Sequence, residues 1–292
     1  MKILITGGSG FIGRNLVEYY SNKAEVFSPT QEELELVDEK AVSEYLKIVR
    51  PDVIIHSAVK PGHRNVANPE GQLYANTRMF FNIARNSSFF GRMIVLGSGL
   101  TYDSRYYIPK MKEEYFDSNV PADEAGFSKY IVAKYIEKSK NILELRIFGI
   151  FGKYEDYSIR FISNMICKAI CDLPLTMNQN KMFDYIYIDD LMPVLDHFID
   201  NSWNHASYNI TPDHSIALKS LAEKVIARSG KKLPIEIAMG SMGIEYSGDN
   251  KRLRLEMKDF NFTNIDTAIS KLYQWYEQNI NSIDRSKLII NK

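Results

Sequence analysis

Residues 2–14 read KILITGGSGFIGR, and the reading of these thirteen letters decides the fold. The run Lys2 to Thr6 is rich in β-branched residues and short, as a parallel strand buried on both faces is. Gly7, Gly10 and Gly13 follow at once, and Ile12, Leu16, Tyr19 and Tyr20 then recur at helical spacing. A strand, a glycine turn and a helix start in this order form a cradle for a pyrophosphate. Gly7 permits a tight turn, Gly10 lets the backbone approach the anion, and Gly13 lets helix and strand pack closely. The helix start adds free N–H groups and a partial positive charge. Gly7, Gly10, Phe11, Ile12, Gly13 and Arg14 are therefore the expected core of a dinucleotide site. The next strand ends in VFSPTQEE (26–33), with Ser28 and Thr30 but no immediate acid to hold a ribose 2′-hydroxyl. Arg14 could meet a 2′-phosphate instead, so NADP(H) is expected, with NAD(H) the alternative. Arg14 reads equally well as a solvated helix residue.

Outward from that turn, strand and helix alternate. AEVFS (24–28), PDVIIHSAV (51–59), RMIVLGSG (92–99) and NILELRIFGIF (141–151) read as strands. DEKAVSEYLKIV (38–49), GQLYANTRMFFNIARNS (71–87) and AGFSKYIVAKYIEKSK (125–140) read as helices between them. Such alternation implies an α/β fold, a Rossmann-type doubly wound parallel sheet covered on both faces. Ligands on such a sheet bind beyond the carboxyl ends of the strands. After residue 150 the alternation weakens. A helix near 159–172, a strand FDYIYI (183–188), and helices DDLMPVLDHFID (189–200) and ALKSLAEKVIARSG (217–230) are expected, with an aromatic-rich end, TAISKLYQWYEQNI (267–280). Residues 1–155, with part of 180–200, are expected to form the dinucleotide domain, and 156–292 mostly a smaller C-terminal substrate-binding lobe.

The 36 basic and 36 acidic residues cancel, which argues against a nucleic-acid or membrane surface. No apolar run approaches membrane-spanning length, and the N-terminus lacks a signal-peptide layout. A soluble cytoplasmic protein is expected. Cys167 and Cys171, four apart in SNMICKAICDL, read as buried apolar residues on one helix face. His56, His63 and His197 show no ligand spacing, and Asp189 and Asp190 begin a helix, where capping explains them, so no metal is assigned.

Taken together, TGGSGFIG, RPDVIIHSAV, VLGSGLTYD, GFSKYIVAKYIE, LRIFGIFG, FDYIYIDDL and YNIT resemble the extended short-chain dehydrogenase/reductase family, which acts on nucleotide-linked sugars. TQEELELVDEKAV and HSAVKPG look most like GDP-fucose synthase and related 4-keto-sugar reductases. By that likeness Glu35 and Leu36 border the adenine, and Ala58, Val59 and Lys60 line the cofactor cleft. The resemblance also implies a serine, a tyrosine and a lysine. The phenol exchanges a proton with the sugar oxygen while hydride passes at the carbon, the lysine lowers the phenol's pKa, and the serine holds the carbonyl in line. Ser98, at a strand end, matches the serine, with Gly99 and Leu100 beside the sugar.

The tyrosine is the difficulty. GFSK at 126–129 matches the family's segment and makes Lys129 the lysine, but the tyrosine site then holds Ala125. The competing pair, Tyr130 and Lys134, has the same spacing, yet five residues turn a helix by about 140° net, so only one pair can face the cofactor. Sliding the frame loses GFSK and Glu137, so Ala125 is read as the tyrosine's replacement. A deliberate replacement, made to hold substrate without turnover, is the expected origin, with a natural variant the alternative. Loss of a general acid costs about a hundredfold to ten-thousandfold.

Family members that dehydrate the sugar carry an Asp-Glu pair after the serine; here Leu100 and Thr101 stand there. Those that epimerise C3 and C5 use a cysteine and a histidine, where Leu100 and Ile159 or Arg160 fall. Neither pair exchanges protons. What remains is reduction of a nucleotide-activated 4-keto-6-deoxy-hexose or heptose, for surface-glycan synthesis by the resemblance. The alternatives are a 4-epimerase with tightly held NAD and, from another class, a catalytically dead NADP(H) sensor. Lys181, Asn250 and Arg252 are the candidate contacts to the substrate's diphosphate, sugar or base, since Phe183 stands where the resemblance implies an arginine. A homodimer built from the helices at 72–87 and 125–140 is also implied.

Overall fold

The structure, a computed structural model, describes residues 1–62 and 70–289; His63 lies outside them. β1 (Lys2–Thr6) leads through α1 (Phe11–Tyr20), β2 (Glu25–Phe27), α2 (Glu39–Val49), β3 (Val53–His56), α3 (Gln72–Ala84), β4 (Arg92–Ser98) and α4 (Glu124–Ile136) to β5 (Ile142–Ile147). There follow β6 (Ile150–Phe151), α5 (Phe161–Ile170), β7 (Leu175–Gln179), β8 (Met182–Phe183), β9 (Ile186–Tyr187), α6 (Ile188–Asp200) and β10 (Ser207–Ile210). β11 (Ile216–Ala217), α7 (Leu218–Ser229), β12 (Ile235–Met239), α8 (Lys251–Glu256), α9 (Ile265–Gln278) and α10 (Ser286–Ile289) complete the order.

The large sheet runs β10-β5-β4-β3-β1-β2, with every neighbouring pair parallel. The chain winds outward from β1 to β2, then crosses back to β3, so the winding reverses between β1 and β3. That reversal opens a crevice at their carboxyl ends, the place where such sheets take ligands. Successive strand residues face opposite sides. Leu4, Ile54, Met93 and Val95 pack on Val42 and Leu46 of α2, Phe80 and Ile83 of α3, and Val132 and Ile136 of α4. Ile3, Ile5, Ile94 and Leu145 pack on the other side with Leu16 of α1 and Leu191, Leu195 and Phe198 of α6. That second core continues without a break into Ile162 and Ile166 of α5, Leu221 and Val225 of α7, and Ile269 and Leu272 of α9. The same apolar mass therefore carries both the sheet and the C-terminal elements.

The pattern-based boundaries hold for the helices and shift for several strands. FDYIYI does not form one strand but two short ones, β8 and β9, separated by fully buried Asp184. The carboxylate of Asp184 accepts from Thr211 Oγ1, from the Gly248 N–H at 2.9 Å and from Lys110 Nζ at 3.4 Å, and these bonds require the chain to turn inward. NILELRIFGIF is likewise broken between β5 and β6. A Cβ at Gly149 would lie 2.3 Å from the Asp184 carbonyl oxygen, so two backbones cross there. The segment YNIT pairs with β5 as the outer strand β10. Residues 101–124 fold as short 3₁₀ turns, pinned to the C-terminal elements where Met111 bridges Gly248.

Candidate active site

The crevice begins at the glycine turn. Gly7 has φ +74°, and a Cβ there would lie 2.8 Å from Ala58 Cα. A Cβ on Gly13 would lie 2.0 Å from the Gly7 carbonyl oxygen. Glycine is therefore required at both positions, because at each a side chain would run into neighbouring backbone and force the tight turn open. Gly10 caps α1 with backbone alone, and the first turn of α1 holds no acid, so its N–H groups face the crevice uncompensated. These residues fit a dinucleotide.

Of the other expected cofactor contacts, Ser28 and Ala58 stand beside this turn. Ser28, after β2, stands so close that a Cβ on Gly8 would meet its Oγ at 1.8 Å. Ala58, after β3, donates its N–H to Thr6 Oγ1 at 3.4 Å, Lys60 donates its own to Asn76 Oδ1 at 2.7 Å, and Val59 is exposed. Leu36 is buried against α3, its carbonyl accepting from Asn82 Nδ2 at 2.9 Å, and Glu35 accepts from Gln31 Nε2 at 2.7 Å and from the Val37 N–H at 3.1 Å. Arg14 is exposed, with its guanidinium 3.9 Å from the centre of the Tyr154 ring.

Ser98 ends β4, and the Lys129 side chain reaches the same strand two residues earlier. Lys129 Nζ points at the Leu96 carbonyl oxygen, 3.4 Å away. Burial holds its ammonium below the ordinary lysine range, and the buried carboxylate of Glu144 opposes that shift. His56, at the end of β3, is bonded through Nδ1 to Thr6 Oγ1 at 2.8 Å. Burial, helped by the Lys129 charge, pushes its pKa down to about 3, so the imidazole stays neutral beside the ammonium. Ser98 closes β4 and accepts the Leu100 N–H at 3.3 Å. Gly99 is buried, and Leu100 is at the surface.

Position 125 lies in the first turn of α4, one turn before Lys129. Asp123 caps this helix, accepting the Gly126 N–H at 2.8 Å, and the Ala125 carbonyl accepts from Ser128 Oγ at 2.8 Å. The rival pair faces elsewhere. Tyr130 donates to Asp117 Oδ1, and Lys134 reaches Asp117 Oδ2 at 2.9 Å. The bond to Asp117 raises the Tyr130 pKa, the opposite of what a catalytic phenol needs.

On the C-terminal side the sequence reading missed two tyrosines. Tyr246 Oη lies 3.4 Å from Ser98 Oγ, and Tyr107 donates to the Gly99 carbonyl at 2.9 Å. Their rings are 5.1 Å apart, and Tyr246 also packs on Phe148 and Phe183 at 5.0 and 4.9 Å. Lys181 lines a cavity of about 260 Å³ with Ile159, Phe161, Met165, Gln179 and Leu218. Burial lowers its pKa, and its ammonium stands 5.0 Å from the Phe183 ring centre. Asn250 and Arg252 are instead held by protein groups. Asn250 Nδ2 donates to the Thr211 carbonyl and Asp213, and Arg252 is bonded to Glu114 at 2.8 Å and the Ser207 carbonyl at 3.3 Å. Cys167 is buried and Cys171 half-buried, both as free thiols. Asp190 accepts from the Thr263 N–H and hydroxyl, and among the described residues no three potential ligands gather for a metal.

With this geometry in place, comparison with known proteins is informative. Residues 3–211 match the model of the NAD dependent epimerase/dehydratase family. GDP-L-colitose synthase of Yersinia pseudotuberculosis is 23% identical over 94% of this chain and 98% of its own. A GDP-L-fucose synthetase from Naegleria fowleri superposes with a TM-score of 0.81 at 15% identity, covering 97% of this chain and 94% of that one. A GDP-mannoheptose C4 reductase from Campylobacter jejuni, solved with NADP bound, superposes with a TM-score of 0.78 at 21% identity, covering 94% of this chain and 98% of that one.

Proposed function

The chain belongs to the NAD dependent epimerase/dehydratase family, and from that premise we propose that it reduces the C4 ketone of a GDP-linked 6-deoxyhexose or heptose with NADPH. It is an NAD(P)-dependent oxidoreductase of the extended short-chain dehydrogenase/reductase type. The observation that carries the finer reading is that Lys129 Nζ lies 3.4 Å from the Leu96 carbonyl oxygen, two residues before Ser98 at the carboxyl end of β4. When bound, the nicotinamide supplies the hydride. The Ser98 hydroxyl donates to the ketone oxygen and fixes its direction, and the ammonium of Lys129 favours negative charge developing close by. Lys181, poorly hydrated at its cavity, is the cation available to a diphosphate. Leu100 and Thr101 carry no acid, and neither Ile159 nor Arg160 is a useful proton exchanger, so the residues present support neither dehydration nor epimerisation at C3 and C5. The GDP sugars named for similar proteins support the choice of base.

One observation favours a second reading. Arg14, on which the NADP preference leaned, is stacked on Tyr154, and a 4-epimerase that retains NAD needs no cation at the 2′ position. Denaturing the purified protein and identifying the released nucleotide separates the two. Stoichiometric NAD supports the epimerase, and an empty protein that consumes NADPH with a GDP-4-keto-6-deoxyhexose supports the reductase. A protein that binds neither would overturn both.

A further inference from the structure

We propose that Tyr246 gives the ketone oxygen its proton, filling the role that the methyl group of Ala125 cannot; the inference rests on the ketone-reductase reading above. A serine and an acid that serve one carbonyl oxygen must both come within hydrogen-bond reach of it, so their hydroxyls lie only a few ångströms apart. Tyr246 Oη meets that condition, 3.4 Å from Ser98 Oγ. The phenol sits in a built place. The backbone N–H of Tyr246 donates to the Met182 carbonyl at 3.0 Å, and the backbone carbonyl of Tyr246 accepts the Asp184 N–H at 3.1 Å. Its ring is wedged among Tyr107, Phe148 and Phe183. Gly99 leaves room for the hydroxyl, because a Cβ there would lie 2.7 Å from Tyr246 Oη. Tyr130, the nearest alternative in sequence, spends its hydroxyl on Asp117.

The chemistry suits reduction. As the carbonyl carbon gains the hydride, its oxygen takes the proton of Tyr246 Oη, the dihydronicotinamide is oxidised, and the phenolate left behind regains a proton from water. Burial pushes the Tyr246 pKa up to about 12, against the pull of the Ser98 and Tyr107 hydroxyls. Such a phenol stays protonated near neutrality and can still neutralise an alkoxide, but it is a poor base for removing a proton from an alcohol. Tyr246 therefore favours the ketone-to-alcohol direction over the oxidation that opens a 4-epimerase cycle.

The test follows NADPH consumption with GDP-4-keto-6-deoxymannose in the chain as it stands and in Tyr246→Phe, Tyr130→Phe, Ala125→Tyr and Tyr246→Phe/Ala125→Tyr. Tyr246→Phe should lower kcat by about a hundredfold or more, leave the NADPH Kd unchanged, and weaken binding of the keto sugar in the absence of NADPH by about threefold to tenfold. Tyr130→Phe should behave as the parent. The double variant should regain turnover, with a loss of rate at alkaline pH that the parent lacks, because a phenol one turn before Lys129 ionises earlier. Full activity in Tyr246→Phe would overturn the proposal. So would a silent parent beside an active Ala125→Tyr, which leaves the reductase reading intact. Silence in both, with NADPH bound, would overturn that reading and the inference with it.

Discussion

An ammonium that has lost much of its water, as that of Lys129 has, is held near β4 by the Leu96 carbonyl and the Glu144 charge. Lys129→Met removes the charge and keeps the bulk, so NADPH affinity and turnover should both fall, turnover by about a hundredfold in a steady-state assay. Ser98→Ala should cost about a hundredfold to a thousandfold in kcat, the usual loss of one donor to a developing oxyanion, with NADPH binding untouched in a fluorescence titration. Ser98 and Lys129 were legible because each sits in a local pattern, one at a strand end and one in GFSK. The choice of Lys129 over Lys134 rested on the match of GFSK and Glu137, since helical geometry lets only one pair face the cleft without saying which. Tyr246 was not legible. It stands 148 positions from Ser98, in a stretch whose spacing carries no periodic signal, and only the folding of the C-terminal elements over β4 brings the two together.

At the scale of the element, the glycine turn and α1 depend on close contact. Gly13→Ala would press a methyl group to 2.0 Å from the Gly7 carbonyl, a clash of the kind that costs about 1–3 kcal/mol. NADPH binding should be lost and Tm lowered, measured by calorimetry and thermal melting. α4 depends on its cap. Asp123→Ala frees the Gly126 N–H and should cost about 1 kcal/mol, with Lys129 less well placed. α5 carries a pH dependence. Glu155, buried just ahead of this helix, bonds Ser163, and burial pushes its pKa up to about 8 from 4.5, the Ser163 bond opposing the shift. A raised acid is a proton held more tightly by the folded state. Its stabilisation is complete below about 4.5 and is lost as pH rises through about 8. Glu155→Gln, which can still accept from Ser163, should flatten the fall in Tm between about pH 4.5 and about pH 8; an unchanged slope would place the effect elsewhere. The helices of ten or more residues were legible at this scale because the 3.6-residue period runs through them, whereas α8 and α10, of six and four residues, were not. The two-residue strands β6, β8 and β9 were not, because pairs of residues have no period, and buried Asp184 breaks what reads as one strand.

For the whole molecule, alternation of strand and helix was enough to give the doubly wound sheet, because parallel strands need crossovers and crossovers need helices. The arrangement of the C-terminal elements was less legible, since their helices share the sheet's own core and no composition break marks them off. No helix among the described residues is long and apolar enough to cross a membrane. The outer face of α3 and α4 keeps Tyr74 and Tyr135 exposed around a shallow cavity lined by Leu73, Phe81 and Ile131. That surface supports the proposed homodimer. Sedimentation should give a dimer that Tyr74→Glu converts to monomer, and a monomeric parent would remove the idea. The most direct measurement uses NADPH carrying deuterium at its transferable C4 position, with GDP-4-keto-6-deoxymannose and mass spectrometry of the sugar. The product should gain one deuterium, bound to sugar C4, as NADPH is consumed. A bound keto sugar returned unchanged by both the parent and Ala125→Tyr, or an altered sugar without deuterium at C4, would contradict ketone reduction at this site.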